Sequence, residues 1–399
     1  MKIFKKIFIV FLLLIIYVYI CNITLLPNNI IIMQGENLNI NPVLGLYLNS
    51  NNNIMQASSN LNNPINTVGK LDFKLDLFNL FPVKDISVNV IPKTKVVPIG
   101  ASIGMKLYTD GVLVVGMSEI EGEEPFKNSG IKEGDRILEI NDNKISNTNE
   151  LINVVNESEG NNLNIKYVRG EEVETTSIKP VKNSNNEYKL GLWVRDAAAG
   201  VGTLTFYEPE SGMFAALGHG IVDIDTSQII NIANGELVTT NILSITKGEK
   251  GTPGEIRGTI ENGYTLGNIY KNTGFGVFGS LTNTSPLGIN TNEAIDVALR
   301  NEIQLGKAEI ICQLEDGKKE KYEIEIQKKF VNNNEDNKSM LIKITDDRLL
   351  EKTGGIIQGM SGAPIIQNGK FVGAVTHVLL NDPTVGYAVF GDIMIKQLH

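Results

Sequence analysis

Histidine is scarce in this chain, and the few that occur narrow the chemistry the protein can perform. Three are present in 399 residues, namely His219, His377 and His399. His219 lies in the run Gly218-His219-Gly220, where its imidazole can accept a proton near neutral pH. We therefore expect His219 to be a general base. His377 has two equally good explanations, a wall of the substrate pocket and a position in the core.

The nucleophile that such a base needs occurs near the end of the chain. Ser361 lies in the run Gly359-Met360-Ser361-Gly362-Ala363-Pro364, whose glycines allow a tight turn and a close approach of backbone N–H groups to a substrate carbonyl. We expect the N–H groups of Gly359 and Ser361 to form the oxyanion hole. A serine and a histidine so arranged can attack a substrate carbonyl and form an acyl-enzyme, which needs no cofactor and no metal.

This serine run resembles the Gly-Asp-Ser-Gly-Gly-Pro element of chymotrypsin-like serine peptidases. His219 follows an Ala-Ala pair, as in that family, and precedes Ser361 by 142 positions. The resemblance implies two β-barrels, each of which contributes one catalytic residue. Met360 stands where that family has the aspartate that binds a newly cut N-terminus, so activation by that route is not expected.

Several aspartates could orient His219, and their spacing does not choose among them. Asp296 lies in the strand-like run Ile295–Leu299, between the histidine and the serine. Asp346 and Asp347 come later, close to the serine. Each of these carboxylates remains a candidate partner of the imidazole.

Metal and nucleic-acid chemistry are not indicated by the composition. Asp223 and Asp225 follow His219, but the sequence places no second histidine or cysteine beside them, which argues against a metal site. Of the two cysteines, Cys21 lies in an N-terminal apolar run and cannot meet Cys312. The net charge of −9 argues against a nucleic-acid partner, because phosphate binding needs a basic surface.

The N-terminus is typical of a membrane anchor, residues 1–27. Lys2, Lys5 and Lys6 precede an apolar run from Ile7 to Leu26, which Pro27 ends. About 20 helical residues span roughly 30 Å, the thickness of a bilayer core. Since no small-residue cleavage signal follows, we expect an uncleaved anchor with the N-terminus in the cytoplasm and the remainder outside it.

The elements that must position the site are mainly strands. Residues 28–66 are rich in asparagine and are expected to form an irregular tether. Residues 67–96 form a short β segment, in which 71–77 and 86–90 alternate apolar and polar side chains as two half-buried strands do. From 190 to 399, short β-branched runs and glycines predict the two barrels of the peptidase domain.

Residues 97–181 resemble a PDZ domain. The resemblance rests on Ser129-Gly130-Ile131-Lys132-Glu133-Gly134-Asp135-Arg136-Ile137-Leu138-Glu139-Ile140-Asn141. It implies a groove between a strand and a helix that binds an extended peptide by strand addition. The loop and strand expected to bind the peptide end are Gly104, Met105, Lys106 and Leu107.

The whole pattern is similar to the PDZ-containing sporulation serine peptidases, the family of stage IV sporulation protein B. The similarity rests on the lysine-led anchor, the PDZ-like module, the histidine run, and the C-terminal runs Lys352–Gly355, Gln358–Gly362 and Ala374–Val378. It implies that Ser361 is the nucleophile, His219 the base and Asp346 the residue that orients the histidine. Asp296 is held in reserve.

The same resemblance implies a place and a purpose for the reaction. It implies an anchor in the forespore membrane, an ectodomain facing the space between the two membranes of the developing spore, and release by cleavage of the protein's own N-terminal region. Cleavage of partner proteins would then trigger a late sigma factor pathway. Two alternatives are a non-catalytic PDZ adaptor and an envelope quality-control protease, although in proteases of the latter kind the PDZ module follows the peptidase.

Overall fold

Strands make up most of the fold in this computed structural model, which describes residues 2–38, 46–50, 64–78, 80–331 and 337–398. The helices are α1 (Lys2–Leu25), α2 (Thr148–Glu157), α3 (Asp347–Thr353) and α4 (Gly391–Leu398). The strands before the PDZ-like region are β1 (Asn29–Met33), β2 (Glu36–Asn37), β3 (Leu46–Ser50), β4 (Pro64–Ile65), β5 (Gly69–Leu77) and β6 (Phe81–Ile91).

The remaining strands belong to the PDZ-like module and the peptidase domain. The first set is β7 (Lys95–Met117), β8 (Arg136–Ile140), β9 (Asn143–Lys144), β10 (Leu163–Arg169), β11 (Glu172–Ile178), β12 (Val181–Lys182), β13 (Tyr188–Lys189) and β14 (Leu192–Glu208). The second set is β15 (Met213–Ala216), β16 (Ile232–Thr246), β17 (Glu255–Thr273), β18 (Gly276–Leu281), β19 (Ile295–Asp296), β20 (Gly306–Glu315), β21 (Lys318–Lys329), β22 (Met340–Ile344), β23 (Pro364–Gln367), β24 (Lys370–Leu379) and β25 (Asp382–Phe390).

Two barrels form the peptidase part, and the predicted mainly-β fold with a double barrel is confirmed. The first barrel runs β7-β14-β15-β18-β17-β16 and closes because β16 also pairs with β7. The second runs β20-β21-β22-β25-β24-β23 and closes because β23 pairs with β20. Each barrel buries its own apolar cluster, as expected when inward and outward side chains alternate along a closed sheet.

The first strand of the first barrel comes from the region that resembles a PDZ domain. Along β7, every second residue from Val97 to Leu107 is buried in the core of this barrel, which is the alternation of a strand with one buried face. Gly111, in the left-handed region at φ +83°, lies where the strand leaves the barrel. Residues 97–107, at the start of the expected PDZ region, therefore also form a strand of the barrel.

The PDZ-like module is an insertion between the first two strands of that barrel. It consists of the last part of β7, strands β8 to β11, helix α2 and the first residues of β14, around a core of its own. Helix α2 begins after Asn147, whose side chain accepts a hydrogen bond from the N–H of Glu150 and so satisfies one of the free donors at the helix start.

A small sheet, β1-β6-β5-β3, lies between the N-terminal helix and the rest. Strands β5 and β6 confirm the two predicted strands. The tether expected over residues 28–66 is wrong for β1 and β3: β1 pairs with β6, β3 pairs with β5, and three consecutive isoleucines give β1 the apolar surface that such a strand buries. The rest of that asparagine-rich stretch, 39–45 and 51–63, lies outside the described residues, as does His399.

Helix α1 is long and apolar enough to cross a membrane once, as expected of the anchor. Its last turn contacts the small sheet directly. Ile23 and Leu26 pack against the apolar cluster of that sheet, and the ammonium of Lys84 donates hydrogen bonds to the carbonyl oxygens of both residues. A cation at this end also complements the helix dipole.

Candidate active site

His219 follows β15, the strand of the first barrel that carries the Ala-Ala pair. Between them, Leu217 and Gly218 both adopt left-handed backbone angles, at φ +69° and +71°, so the chain turns sharply and directs the imidazole towards the second barrel. A β-carbon at Gly218 would lie 3.0 Å from the Thr376 side chain. Glycine therefore permits the close approach of the two barrels at the histidine.

The imidazole of His219 is half-buried and is set up to accept a proton. Its Nδ1 lies 2.9 Å from the carbonyl oxygen of Gly220; a carbonyl can only accept, so Nδ1 carries the proton and Nε2 keeps its lone pair. Burial lowers the pKa of His219 below its ordinary value, and the hydrogen bond to Gly220 offsets this only in part. The neutral ring needed for a general base is thus favoured.

Ser361 lies on the turn that precedes β23 in the second barrel. Gly359 and Gly362 both adopt left-handed angles, at φ +97° and +96°. In this structure the Ser361 hydroxyl donates to the carbonyl oxygen of Thr376, 3.0 Å away. Met360 is fully buried in the core of the second barrel, and this explains an apolar residue where the chymotrypsin-like pattern has aspartate.

The predicted oxyanion donors lie on the same turn. The N–H of Gly362 donates to Val375 and that of Met360 donates to Ile357. Among the described residues, no backbone carbonyl accepts a hydrogen bond from the N–H groups of Gly359 and Ser361. These are the two donors that the sequence predicts, and they remain available to a substrate carbonyl.

Thr203, in the middle of β14, joins the two halves of the site. Its hydroxyl donates to Gly359 O at 2.7 Å, and its N–H donates to Ser361 O at 3.1 Å. Its own carbonyl accepts the N–H of Leu217, two residues before the histidine. Sequence reasoning missed this residue, because a threonine within a β-branched run carries no signal of contacts made so far along the chain.

A cavity of about 550 Å³ brings the predicted nucleophile and base together. His219 and Ser361 both line it, and so does His377, whose ring centre lies 5.3 Å from that of His219. The structure therefore favours the pocket explanation for His377. Residues 198–201 of β14 supply another wall, and the described residues that line the cavity include no aspartate, glutamate, lysine or arginine.

The structure does not bring Asp346 to His219. Its carboxylate caps helix α3, accepting hydrogen bonds from the N–H of Arg348 and of Glu323 and pairing with the Arg348 guanidinium at 2.8 Å. That guanidinium holds the pKa of Asp346 below its ordinary value. Strand β22, five residues or roughly 17 Å long, separates it from the cavity-lining Asn337. Its orienting role stays a prediction that this arrangement does not support.

The other candidate aspartates also lie elsewhere. Asp296 pairs with Lys95 at the start of β7 and is not among the cavity-lining residues. Asp223 and Asp225 both bind the guanidinium of Arg195, which accounts for them without a metal. In this structure, the group on Nδ1 of His219 is a backbone carbonyl.

The expectation that residues 104–107 bind a peptide is wrong. This stretch of β7 pairs with β14 along one edge and with β16 along the other, so neither edge can accept an added strand. The backbone of Gly104 is also tightly enclosed, since a β-carbon there would lie 2.8 Å from the Val238 side chain. The residues concerned are Gly104, Met105, Lys106 and Leu107.

A second apolar-Gly-apolar run lies at the peptide groove, where we expected Ile103-Gly104-Met105. Leu190-Gly191-Leu192 leads into β14, whose residues 192–195 pair with β7 along one edge. In the described structure no strand pairs with the other edge, which faces α2 across a groove of about 470 Å³. Leu151 and Val155 of the helix and the exposed Trp193 line this groove.

Comparisons with known proteins agree with the two-part architecture. The family model described as SpoIVB peptidase S55 matches residues 186–395, just over half of the chain. A PDZ domain model matches residues 97–179. The predicted resemblance to a PDZ-containing sporulation peptidase is confirmed, although the PDZ match begins within the strand that the structure assigns to the first barrel.

Individual relatives match only part of the chain. A putative zinc metalloprotease of Clostridium perfringens is 24% identical over 112 residues, which are 25% of this chain and 33% of that protein. The chain thus matches about a third of this relative's length. Among solved structures, PDZ domains of SdrC-like proteins from Listeria monocytogenes and Listeria innocua are 24% and 25% identical. They cover 21% and 22% of this chain and 87% and 94% of their own, each with a TM-score of 0.19.

Proposed function

The chain belongs to the SpoIVB peptidase S55 family and is a sporulation serine endopeptidase with a PDZ module, and we propose that Ser361 and His219 carry out its reaction. One observation carries this proposal above all. The two barrels deliver these residues to one cavity, with Nδ1 of the histidine engaged by Gly220 O and Nε2 left to act as the base.

The chemistry follows from these positions. Nε2 of His219 takes the hydroxyl proton as Ser361 Oγ attacks the scissile carbonyl, and the N–H groups of Gly359 and Ser361 bind the oxyanion. The imidazolium then donates its proton to the leaving amine, which leaves an acyl-enzyme on Ser361. Water, activated by the same histidine, releases the acyl group and restores the serine.

The hydroxyl of Ser361 must be redirected before it reacts. It now donates to Thr376 O, and this hydrogen bond has to break before the proton can pass to His219. Since no charged side chain among the described residues lines the cavity, we propose that the substrate residue held there is uncharged, because burying an unpaired charge is costly.

Purified full-length protein in detergent micelles provides the test. Ser361→Ala should abolish cleavage of its substrates, with a loss on the order of 10⁶-fold in turnover, while circular dichroism stays unchanged because one hydroxyl is removed from an open turn. Ser211→Ala, which removes a hydroxyl from a surface turn bonded to Glu208, is the matched control. Undiminished hydrolysis by the Ser361→Ala protein would refute the assignment and favour the adaptor alternative.

We propose that the PDZ module binds its peptide at the free edge of β14 rather than at β7. The strand Leu192–Val194 offers unpaired backbone groups, α2 offers an apolar wall, and Gly191 at φ +73° forms a turn at the groove's end. Backbone pairing supplies affinity in this mode, and the groove wall supplies selectivity. Trp193, the only tryptophan of the chain, reports occupancy of the groove through its fluorescence.

We propose that the enzyme acts in signalling at the forespore membrane. Family membership and the membrane-length helix support an ectodomain that faces the intermembrane space, cleaves partner proteins and activates a late sigma factor pathway. The protein's own N-terminal region, between α1 and β5, is the proposed site of self-cleavage that releases it.

Reconstitution tests the release step. Full-length protein in vesicles should lose its N-terminal helix over time, and mass spectrometry of the soluble product should place the new N-terminus before β5. Ser361→Ala in the same vesicles should stay membrane-bound, and added wild-type ectodomain should release it if cleavage occurs between molecules. Release of the Ser361→Ala protein in the absence of active enzyme would contradict self-cleavage.

A further inference from the structure

Arg195 lies where β14 leaves the peptide groove and enters the first barrel. Its guanidinium binds two carboxylates, Asp223 through Nη1 and Asp225 through Nη2, the latter at 2.6 Å. The Asp223 side chain has no exposed surface, whereas that of Arg195 is 32% exposed. A planar guanidinium can bridge two carboxylates in this way, and a lysine ammonium cannot reproduce that geometry.

Asp223 organises the loop that follows the catalytic histidine. Its Oδ1 accepts hydrogen bonds from the N–H of Asp225 at 3.1 Å and from the N–H and hydroxyl of Thr226 at 2.9 and 3.1 Å. Burial would raise the pKa of Asp223, but these hydrogen bonds and Arg195 outweigh it and hold the pKa below its ordinary value. The loop therefore has an anionic centre that Arg195 neutralises.

The same loop begins at the group that fixes the histidine. Gly220, whose carbonyl oxygen lies against Nδ1 of His219, is its first residue, and Val222 on the cavity wall forms a bridge with Ile229. A rearrangement of the loop can therefore displace that carbonyl. The orientation of the imidazole thus depends on the loop that Asp223 and Arg195 stabilise.

The next residue of β14 binds the other wall of the groove. Asp196 Oδ2 accepts the N–H of Thr148, the first residue of α2, at 2.7 Å. The register with β7 shifts between Arg195 and Ala197, which marks a β-bulge. Bulges redirect side chains and are found beside active sites. Two consecutive residues at this bulge therefore connect the groove helix with the histidine loop.

We propose that Arg195 is a positioning residue that couples peptide binding in the groove to the orientation of His219. The proposal rests on the function proposed above. A peptide that pairs with Leu192–Val194 extends the sheet next to the bulge, and Arg195 transmits the change to Asp223 and the Gly220 carbonyl. The bound peptide favours the arrangement in which Nε2 receives the Ser361 proton, in place of the resting one in which that hydroxyl faces Thr376.

The test separates groove binding from turnover on the same full-length protein in detergent. Binding in the groove is measured with a synthetic hexapeptide of alternating serine and valine that has a free C-terminal carboxylate, and the signal is the change in Trp193 fluorescence. Activity is measured as the hydrolysis of a small neutral ester. For the wild type we expect binding and an increase in kcat of about tenfold, within the range of ordinary coupling between two sites. Arg195→Gln should bind the probe with unchanged Kd, show lower kcat and lose the stimulation.

Arg169→Gln is the matched control. Arg169 is 35% exposed and binds the buried Asp135 at 2.6 Å, so its loss removes a comparable ion pair of the PDZ module that involves neither Asp223 nor Asp225. This variant should keep the stimulation. Asp225→Asn serves as a second variant in case Arg195→Gln does not fold. It removes one arm of the bridge at a half-exposed position and leaves the buried Asp223 paired with Arg195. We expect it to lose a smaller but measurable part of the stimulation of kcat.

The outcomes distinguish this proposal from the one on which it rests. Loss of basal ester hydrolysis in Ser361→Ala tests the catalytic assignment, independently of any probe. Stimulation of Arg195→Gln to the wild-type degree would overturn the coupling, and so would an equal loss in Arg169→Gln. A wild type that shows neither a fluorescence change nor stimulation would overturn it as well.

Discussion

Strands β7 and β14 start from the same kind of sequence and have different tasks. Each contains or follows an apolar-Gly-apolar run, and each passes through both the PDZ module and the first barrel. Over the run Ile103-Gly104-Met105, β7 is paired at both edges. After Leu190-Gly191-Leu192, no strand of the described part of the chain pairs with the second edge of β14. A local motif therefore does not define a peptide site; the site depends on which edge the rest of the chain leaves open.

The largest effect is expected from a variant that introduces a charge at Gly104. Gly104→Glu should destabilise the barrel by about 3 kcal/mol or more, because a carboxylate would be forced among apolar side chains. Ester hydrolysis and self-cleavage should then be lost together, as measured beside the thermal midpoint. Tyr108→Glu places the same charge on a partly exposed side chain of β7 and should be tolerated. Loss of peptide binding alone in a fully stable Gly104→Glu protein would restore β7 as the peptide strand.

The corresponding change at the glycine just before β14 should affect binding and leave the fold intact. Gly191→Ala puts a β-carbon at φ +73°, 2.6 Å from Ser118 O, and the left-handed strain alone costs roughly 1–2 kcal/mol. We expect the Kd for the alternating serine and valine peptide to rise by about tenfold, with basal ester hydrolysis retained. Gly170→Ala has similar strain, at φ +61° with open space around it, and should keep the wild-type Kd. Equal losses in both variants would mean that strain alone, and not the groove, is responsible.

The histidine loop held by β14 should also set the pH dependence. Because burial lowers the pKa of His219 from 6.5, the neutral ring persists below that pH, and kcat/KM for a neutral ester should rise with pH through a midpoint lower than 6.5. His377→Asn removes the neighbouring imidazole and should leave this ascending limb in place. A midpoint clearly above 6.5 would indicate that the loop does not hold His219 as the structure has it.

The smallest effect is expected at Asp346, which lies on neither strand. Asparagine caps helices about as well as aspartate, whereas alanine costs about 1 kcal/mol. Asp346→Asn should therefore keep stability and most activity, and Asp346→Ala should lose stability in chemical denaturation. If Asp346 instead orients His219 during turnover, both variants would lose activity by about 10⁴-fold. Asp296→Asn provides the comparison, because Asp296 is the other candidate for that role.

Much of the candidate chemistry can be predicted from the sequence because its motifs consist of residues that are neighbours in the chain. Ser361 among its glycines and His219 after an Ala-Ala pair are recognisable from a few neighbours, and strands β5 and β6 follow from simple alternation. The group that contacts Nδ1 of His219 could not be predicted in this way. The candidate aspartates look alike in the sequence, and only the folded chain shows that the carbonyl of Gly220 lies there instead. Thr203 and Arg195 act through partners far along the sequence, and only the closed barrel shows which residues they meet.

The insertion of the PDZ module inside the first barrel also affects how the enzyme is made. Strand β7 emerges from the ribosome long before β14, and the barrel has no second wall until the whole module has been synthesised. Folding the module first brings its two ends together and reduces the entropy lost when β7 and β14 pair. Because the second barrel and Ser361 follow the module in the sequence, the peptidase cleft is completed only after the whole PDZ module has been synthesised.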